Sequence, residues 1–320
     1  MSITEIDSKP SFERLLVATD FSAASQSAFR TALDTCVALQ ASLLILHVFE
    51  YAEVVPPENG GLPPELRGLY DKCRDSLDDL GRQAVRAGVT CETLLTAGIP
   101  SAAILDTISA REVDLAILGT NALHGFERLV FGSTAEAVLR QARCPVLTVG
   151  PQALPWTKPL DPDGAVVFAT DFDFTTIDAI RFAAYFSHLA GSSLHCLHVL
   201  PRTHEACSQW QIVPGIVSEG LQQLADRSGV VIEPPICATT YGSEVSSAVV
   251  DYAKQQKARL IVLGVRQASL LASHVPEHIT YRIITEAPCP VLTMAFASHP
   301  HGRSQPAAEP IRSFRMGVPV

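Results

Sequence analysis

The sequence predicts two doubly wound α/β domains in one chain, each built on a five-stranded parallel sheet. Three observations carry this expectation. The chain has 320 residues, enough for two domains of roughly 100–200 residues. It repeats itself. Its strand-like segments are short and apolar along their whole length, and each is followed by a stretch of helical period, the pattern of a parallel sheet covered on both faces.

The repeat sets the domain organisation. Residues 15–50 align without a gap on residues 166–201 at an offset of 151, with 12 of 36 positions identical. Ala18-Thr19-Asp20-Phe21 falls on Ala169-Thr170-Asp171-Phe172, and His47-Val48 on His198-Val199. Further on the offset is 145: DLAILG (114–119) falls on RLIVLG (259–264), and CPVLT (144–148) recurs at 289–293. The expected domains are 12–150 and 164–296. Residues 151–163 between them carry four prolines and read as a linker. Residues 297–320 lack periodicity and read as a disordered tail.

Within the first unit the elements follow in order. Leu15–Thr19 reads as a buried strand and Ser22–Leu39 as an amphipathic helix, with Ser22 suited to its N-cap. Leu43–Val48 is the second strand. A Pro- and Gly-rich loop leads to a helix near Glu65–Ala87, then a strand at Thr90–Thr96 and a helix at Pro100–Arg111. Leu115–Leu118, Ser133–Gln141 and Val146–Val149 complete the unit as strand, helix and strand. The second unit repeats this, with strands near 165–170, 194–200, 231–238, 260–264 and 290–294. Crossovers between parallel strands are right-handed.

Composition excludes several classes of partner. Lys plus Arg is 24 and Asp plus Glu 33, a formal charge of −9. An acidic chain without a basic run is poorly suited to bind nucleic acid through phosphates, or an anionic membrane. No apolar run nears the ~18 residues of a membrane helix. The amino terminus lacks the basic start and apolar centre of a signal peptide. Eight cysteines without a C-x-x-C pair read as reduced core thiols in a cytoplasmic protein.

A doubly wound sheet binds ligands outside the carboxyl ends of its strands. Asp20 follows the first strand. After the fourth strand, Gly119, Gly125 and Gly132 lie within 14 residues, and Gly132-Ser133-Thr134 opens a helix. Glycines expose backbone N–H groups, a helix start adds free N–H groups and partial positive charge, and the hydroxyls add donors. Such a segment can cradle a phosphate. It can equally be turn glycines and an N-cap.

The same residues carry a family resemblance. ATDFS after the first strand, LHV ending the second, and a fourth-strand loop running into GST and CPVLTV are similar to the universal stress protein family, here as two fused domains. The resemblance covers nearly all of 12–150 and 164–296. It implies an adenine nucleotide alpha hydrolase-like fold with strand order 3-2-1-4-5, and ATP in the first unit. By position Asp20, beside Thr19, would hydrogen-bond the ribose. Ala18 and Val48 would frame the adenine through backbone atoms. Gly119, Gly132, Ser133 and Thr134, following Leu118, would hold the phosphates. The family's G-x2-G-x9-G-[ST] stretch stands here as Gly119-x2-Ala122-x9-Gly132-Ser133. Ala122 thus replaces a glycine, and an alanine does not readily take positive φ. Asn121 stands where many relatives have His.

The second unit keeps Asp171, Val199 and Gly264, but Glu277 and His278 stand where the first has Gly132 and Ser133. A carboxylate facing phosphates is repulsive by about 1–4 kcal/mol in a partly wet site. This half is expected not to bind ATP in the family's manner.

Other constellations yield little. His195 and His198 lie three apart on one strand, so alternation places them on opposite faces and they cannot share a metal. His198, like His47, reads as a packing and hydrogen-bonding residue at a strand end. Pro276 spoils a helical pair of His274 and His278. Cys144 and Cys289 read as buried thiols. No Walker loop, zincin or serine-hydrolase motif is present.

The expectation is therefore a cytoplasmic stress-response protein that binds ATP in its N-terminal half. Mg²⁺ would come only as the nucleotide's counterion. It is regulatory rather than an enzyme, with hydrolysis at most slow, because no base or Lys for phosphoryl transfer is evident. The apolar last strands of the two units would pair as an intrachain pseudo-dimer, removing two exposed edges. A homodimer of whole chains stays open. The alternatives are a nucleotide-free module that docks a protein partner, and a slow nucleotide hydrolase.

Overall fold

The computed structural model describes residues 12–50, 64–120, 132–154, 164–171, 177–202, 215, 218–220, 222–223, 235–266 and 279–296. These hold ten strands and seven helices. The first half runs β1 (Arg14–Ala18), α1 (Ala23–Leu39), β2 (Ser42–Phe49), α2 (Pro64–Arg86), β3 (Cys91–Ala97), α3 (Pro100–Ala110), β4 (Leu115–Gly119), α4 (Ser133–Gln141) and β5 (Val146–Val149). The second runs β6 (Ala165–Ala169), α5 (Ile177–Ala190), β7 (Ser193–Pro201), β8 (Ile236–Gly242), α6 (Val245–Gln255), β9 (Leu260–Arg266), α7 (Ile279–Glu286) and β10 (Val291–Phe296).

All ten strands join one sheet, in the order β3-β2-β1-β4-β5-β10-β9-β6-β7-β8. Every neighbouring pair is parallel except β5 and β10. There Val291 faces Thr148, Leu292 faces Leu147 and Thr293 faces Val146. Leu147 and Leu292 are 145 positions apart, the same offset as the repeat, so each residue of the seam meets its own counterpart's strand about a pseudo-two-fold axis at this pair. One consequence concerns the sites. The carboxyl ends of β1 and β4 and those of β6 and β9 point in opposite directions.

Strand residues alternate between two apolar layers. Leu16, Leu44 and Leu46 face α3 and α4, and in the second half Val167 and Leu197 face α6 and α7. Leu15, Val17 and Ile45 face α1 and α2, with Val166 and Phe168 against α5. Both faces of the sheet are covered, as the uninterrupted apolar strands require. The halves also touch outside the sheet. Gly150 approaches the Ile284 carbonyl of α7 so closely that a Cβ would collide with it. Leu154 N–H donates to the Pro288 carbonyl at 2.9 Å. Arg140 of α4 donates to the Tyr281 hydroxyl of α7 at 3.2 Å while holding Glu136 at 2.7 Å.

One element extends beyond the sequence expectation. The third strand of the second half is expected near 231–238; residues 231–234 lie outside the described ones, residues 236–238 are strand, and β8 runs on to Gly242. Pro235, just before it, has no N–H to give a ladder. The 297–320 tail and residues 155–163 of the expected linker also lie outside the described residues.

Candidate functional site

The turn after β1 is built by local hydrogen bonds. Thr19 is buried, and its N–H donates to the Leu46 carbonyl at 2.9 Å. Its Oγ1 accepts from the Phe21 N–H at 3.0 Å and lies 3.1 Å from Ser25 Oγ. The Thr19 carbonyl accepts from His47 Nδ1 at 2.7 Å, which fixes the proton on that nitrogen. Phe21 adopts φ 63°, a left-handed conformation that is costly for a bulky residue. Its ring packs on His47, with centroids 4.4 Å apart. Ser22 caps α1, its hydroxyl accepting from Ser25 N–H at 3.3 Å. The turn thus projects Asp20 beyond the carboxyl end of the sheet. Partial burial raises the Asp20 pKa, but hydrogen bonds from the Ser22 and Ser25 hydroxyls and the Ser22 N–H outweigh it and hold the carboxyl below its ordinary value. Asp20 is ionised at neutral pH.

The end of β4 sits hard against this turn. A Cβ on Gly119 would drive into the Ala24 carbonyl, so glycine here is a packing requirement. Gly132 is different. Its φ of −61° suits any residue, and a Cβ there would meet no described residue within 4 Å. Neither backbone nor packing against the described residues demands glycine, and its lack of a side chain leaves the start of α4 open to approach. That start has no side-chain cap among the described residues, and a helix start offers N–H groups to an anion. Glu136 of the first turn, which would oppose an anion, is neutralised by Arg140.

Between these parts lies a cavity of about 150 Å³. Of the residues expected at the site, Ala18, Thr19, Asp20, Val48, Leu118, Gly119 and Thr134 line it. Gly132 and Ser133 stand outside it at the start of α4, both exposed. Ala122 lies outside the described residues, as do Asn121, Gly125, Glu277 and His278. Sequence reasoning missed seven lining residues, Ser22, Ser25, Leu46, Glu50, Pro100, Ile104 and Ala135. Alternation could have found Leu46, which shares a strand face with Val48. Pro100 and Ile104 are four apart on α3 and so present one helical face. A larger groove of about 860 Å³ lies at the other end of the strands, between Phe12, the end of α1 and Tyr185. It is away from the strand carboxyl ends and gathers none of these groups.

The chain belongs to the universal stress protein family. The family profile matches residues 11–150 and again 164–294, so two such domains are fused. Among curated relatives, Universal stress protein MJ0531 of Methanocaldococcus jannaschii is 28% identical over 146 residues, covering 43% of this chain and 82% of the relative. Universal stress protein YxiE of Bacillus subtilis is 30% identical over 146 residues, covering 43% of this chain and 99% of the relative. Among solved structures, a universal stress protein from Archaeoglobus fulgidus superposes with a TM-score of 0.67 at 17% identity, over 88% of this chain and 98% of its own. At that identity the likeness speaks for the fold.

Within this tandem universal stress protein the second half repeats the anchor with different neighbours at equivalent positions. His198 Nδ1 donates to the Thr170 carbonyl at 2.8 Å, the counterpart of His47 and Thr19. At the offset of 145, Ile279 stands where Thr134 lines the first cavity and Val245 where Pro100 does. His195 faces the other way from His198. Its Nδ1 meets the Tyr252 hydroxyl at 2.8 Å and its Nε2 the Ser193 hydroxyl at 3.0 Å, and burial pulls its pKa down. No group of metal-binding side chains occurs among the described residues. The described cysteines are all free. Burial pushes the Cys144 thiol up to about 12 and raises Cys289 as well, so both are inert thiols at neutral pH. No helix among the described residues is long and apolar enough to cross a membrane.

Proposed function

We propose that the N-terminal half binds an adenine nucleotide, ATP by the family resemblance, and that the protein acts in the cytoplasm as a regulatory stress-response factor rather than as an enzyme. One observation carries the reading. The cavity at the ends of β1 and β4 gathers Ala18, Thr19, Asp20, Val48, Leu118, Gly119 and Thr134 beside a helix start, where Gly132 is required by neither backbone nor packing against the described residues. An ionised Asp20 can accept from ribose hydroxyls, and α4 N–H groups can donate to a phosphate. Mg²⁺ enters only as the nucleotide's counterion. In the C-terminal half, Glu277 and His278 replace the glycine and hydroxyl, so that half serves as the structural partner of the first. A second reading, a nucleotide-free docking module, draws on the size of the described cavity, about 150 Å³ against roughly 300–1,000 Å³ for ligand pockets.

Calorimetric titration of Mg·ATP into the whole chain decides between them. The expected result is one equivalent bound by the wild type and none by a Gly132→Glu, Ser133→His variant that copies the second loop. Two equivalents would refute the asymmetry. No heat with either protein, both folded by circular dichroism, would favour the docking module.

A further inference from the structure

The charge around the cavity is one-sided. Asp20 and Glu50 both line it, and both are exposed carboxylates. Glu50 directly follows the last residue of β2, two positions beyond Val48, and makes no ion pair or hydrogen bond with a described residue. No Lys, Arg or His is among the described lining residues. The intervening segment 121–131 carries one Glu and one Arg, which cancel formally. The start of α4 supplies only about half a positive charge. Two full negative charges therefore outweigh it, and the described walls are net negative where a triphosphate would bring several more.

Carboxylates are acceptors only. They suit a ligand that presents hydroxyl or amino donors, as a nucleoside does through its sugar diol and base. The about 150 Å³ bounded by the described residues matches a base or sugar better than a whole nucleotide. Glu50 also distinguishes the halves: its counterpart at the offset of 151 is Pro201, which carries no charge.

We infer that Glu50, with Asp20, sets the specificity of this cleft for the nucleoside part of its ligand, so that an adenine nucleoside or monophosphate binds more tightly than a free triphosphate, and a triphosphate binds well only with a divalent cation. The inference rests on the nucleotide reading above and deepens it. Asp20 holds its charge through the α1 cap, and Glu50 is the tunable member because no described residue bonds its carboxylate. The two charges repel each added phosphate, and a divalent cation screens that repulsion.

Titration of the whole chain with adenosine, AMP, ATP in EDTA, and Mg·ATP tests it, with wild type beside Glu50→Gln. The wild type is expected to bind adenosine or AMP at least about tenfold more tightly than ATP in EDTA, with Mg²⁺ closing most of the gap. Glu50→Gln is expected to tighten ATP in EDTA by about three- to tenfold and to weaken adenosine. ATP in EDTA binding as tightly as adenosine to the wild type would overturn the inference, and so would a ratio unchanged by Glu50→Gln. Either result leaves the nucleotide reading standing. Failure of all four ligands with folded protein would overturn both.

Discussion

His47 and His198 bind the end of the second strand to the first in the same way, 2.7 Å to the Thr19 carbonyl and 2.8 Å to the Thr170 carbonyl. Around this shared anchor the two halves part. The first surrounds it with Asp20, Glu50 and Thr134; the second has Pro201 and Ile279 at the positions of Glu50 and Thr134. The second in turn carries Ser193, His195 and Tyr252 as a hydrogen-bonded chain, where the first has Leu44 at the position of His195. Ala18, Thr19 and Asp20 recur as Ala169, Thr170 and Asp171, and Val48 and Gly119 as Val199 and Gly264. The halves therefore share the anchor and much of what surrounds it, and they differ at particular positions: Glu50, Thr134 and Pro100 against Pro201, Ile279 and Val245.

If the scaffold is symmetric, the seam should respond symmetrically. Leu147→Ala and Leu292→Ala each empty a buried position on the pseudo-two-fold axis. Each should cost about 2–5 kcal/mol in urea unfolding, and the double variant should lose less than the sum, because the two face one another. Clearly unequal single costs would break the symmetry argument. A smaller effect exposes where the seam is not symmetric. Gly150→Ala pushes a methyl into the Ile284 carbonyl and should cost about 1–3 kcal/mol. Its counterpart at the offset of 145 is Ala295, so no second glycine matches the close approach at Gly150.

The anchors themselves can be graded. His47→Ala orphans the Thr19 carbonyl and removes the ring under Phe21, for about 2–3 kcal/mol. His198 is more exposed, and His198→Ala should cost about 1 kcal/mol. Equal values would place the Phe21 contact outside the energetics. The smallest effect is a pH dependence that belongs to the second half alone. Burial lowers the His195 pKa, so the unfolded chain binds the proton first as pH falls below the usual imidazole value. Stability from this residue is complete above that value and lost as pH falls through the lowered one. Urea titrations from neutral pH into that range should show stability falling as pH falls. His195→Leu, which copies Leu44, should flatten this dependence; an unchanged slope would assign it elsewhere.

Much of the scaffold was legible in the sequence because the repeat and the uninterrupted apolar strands are direct imprints of a buried parallel sheet. Val146–Val149 and Ser133–Gln141 were bounded correctly to the residue. The third strand of the second half, expected near 231–238, was legible at 236–238 but not over its polar continuation to Gly242 in ICATTYG. That strand lies at the sheet edge, where one flank meets solvent and the apolar signal fades. At the site, residues on motifs were visible, and Glu50 was not. A charged residue just past a strand end looks like any solvated loop position until the fold sets it beside Asp20. Gly119 and Gly132 looked alike in sequence, yet only Gly119 is held by packing against described residues.

The antiparallel seam between β5 and β10 has a further consequence, for how such a molecule can change over generations. In a two-fold homodimer every substitution appears twice, so a residue that improves one site is imposed on the other. Here the axis survives at Leu147 and Leu292 while the chain on either side is encoded separately. A mutation is inherited once and felt once. The carboxyl ends of β1 and β4 and those of β6 and β9 lie at opposite ends of a single sheet, and the residues around each are free to drift alone.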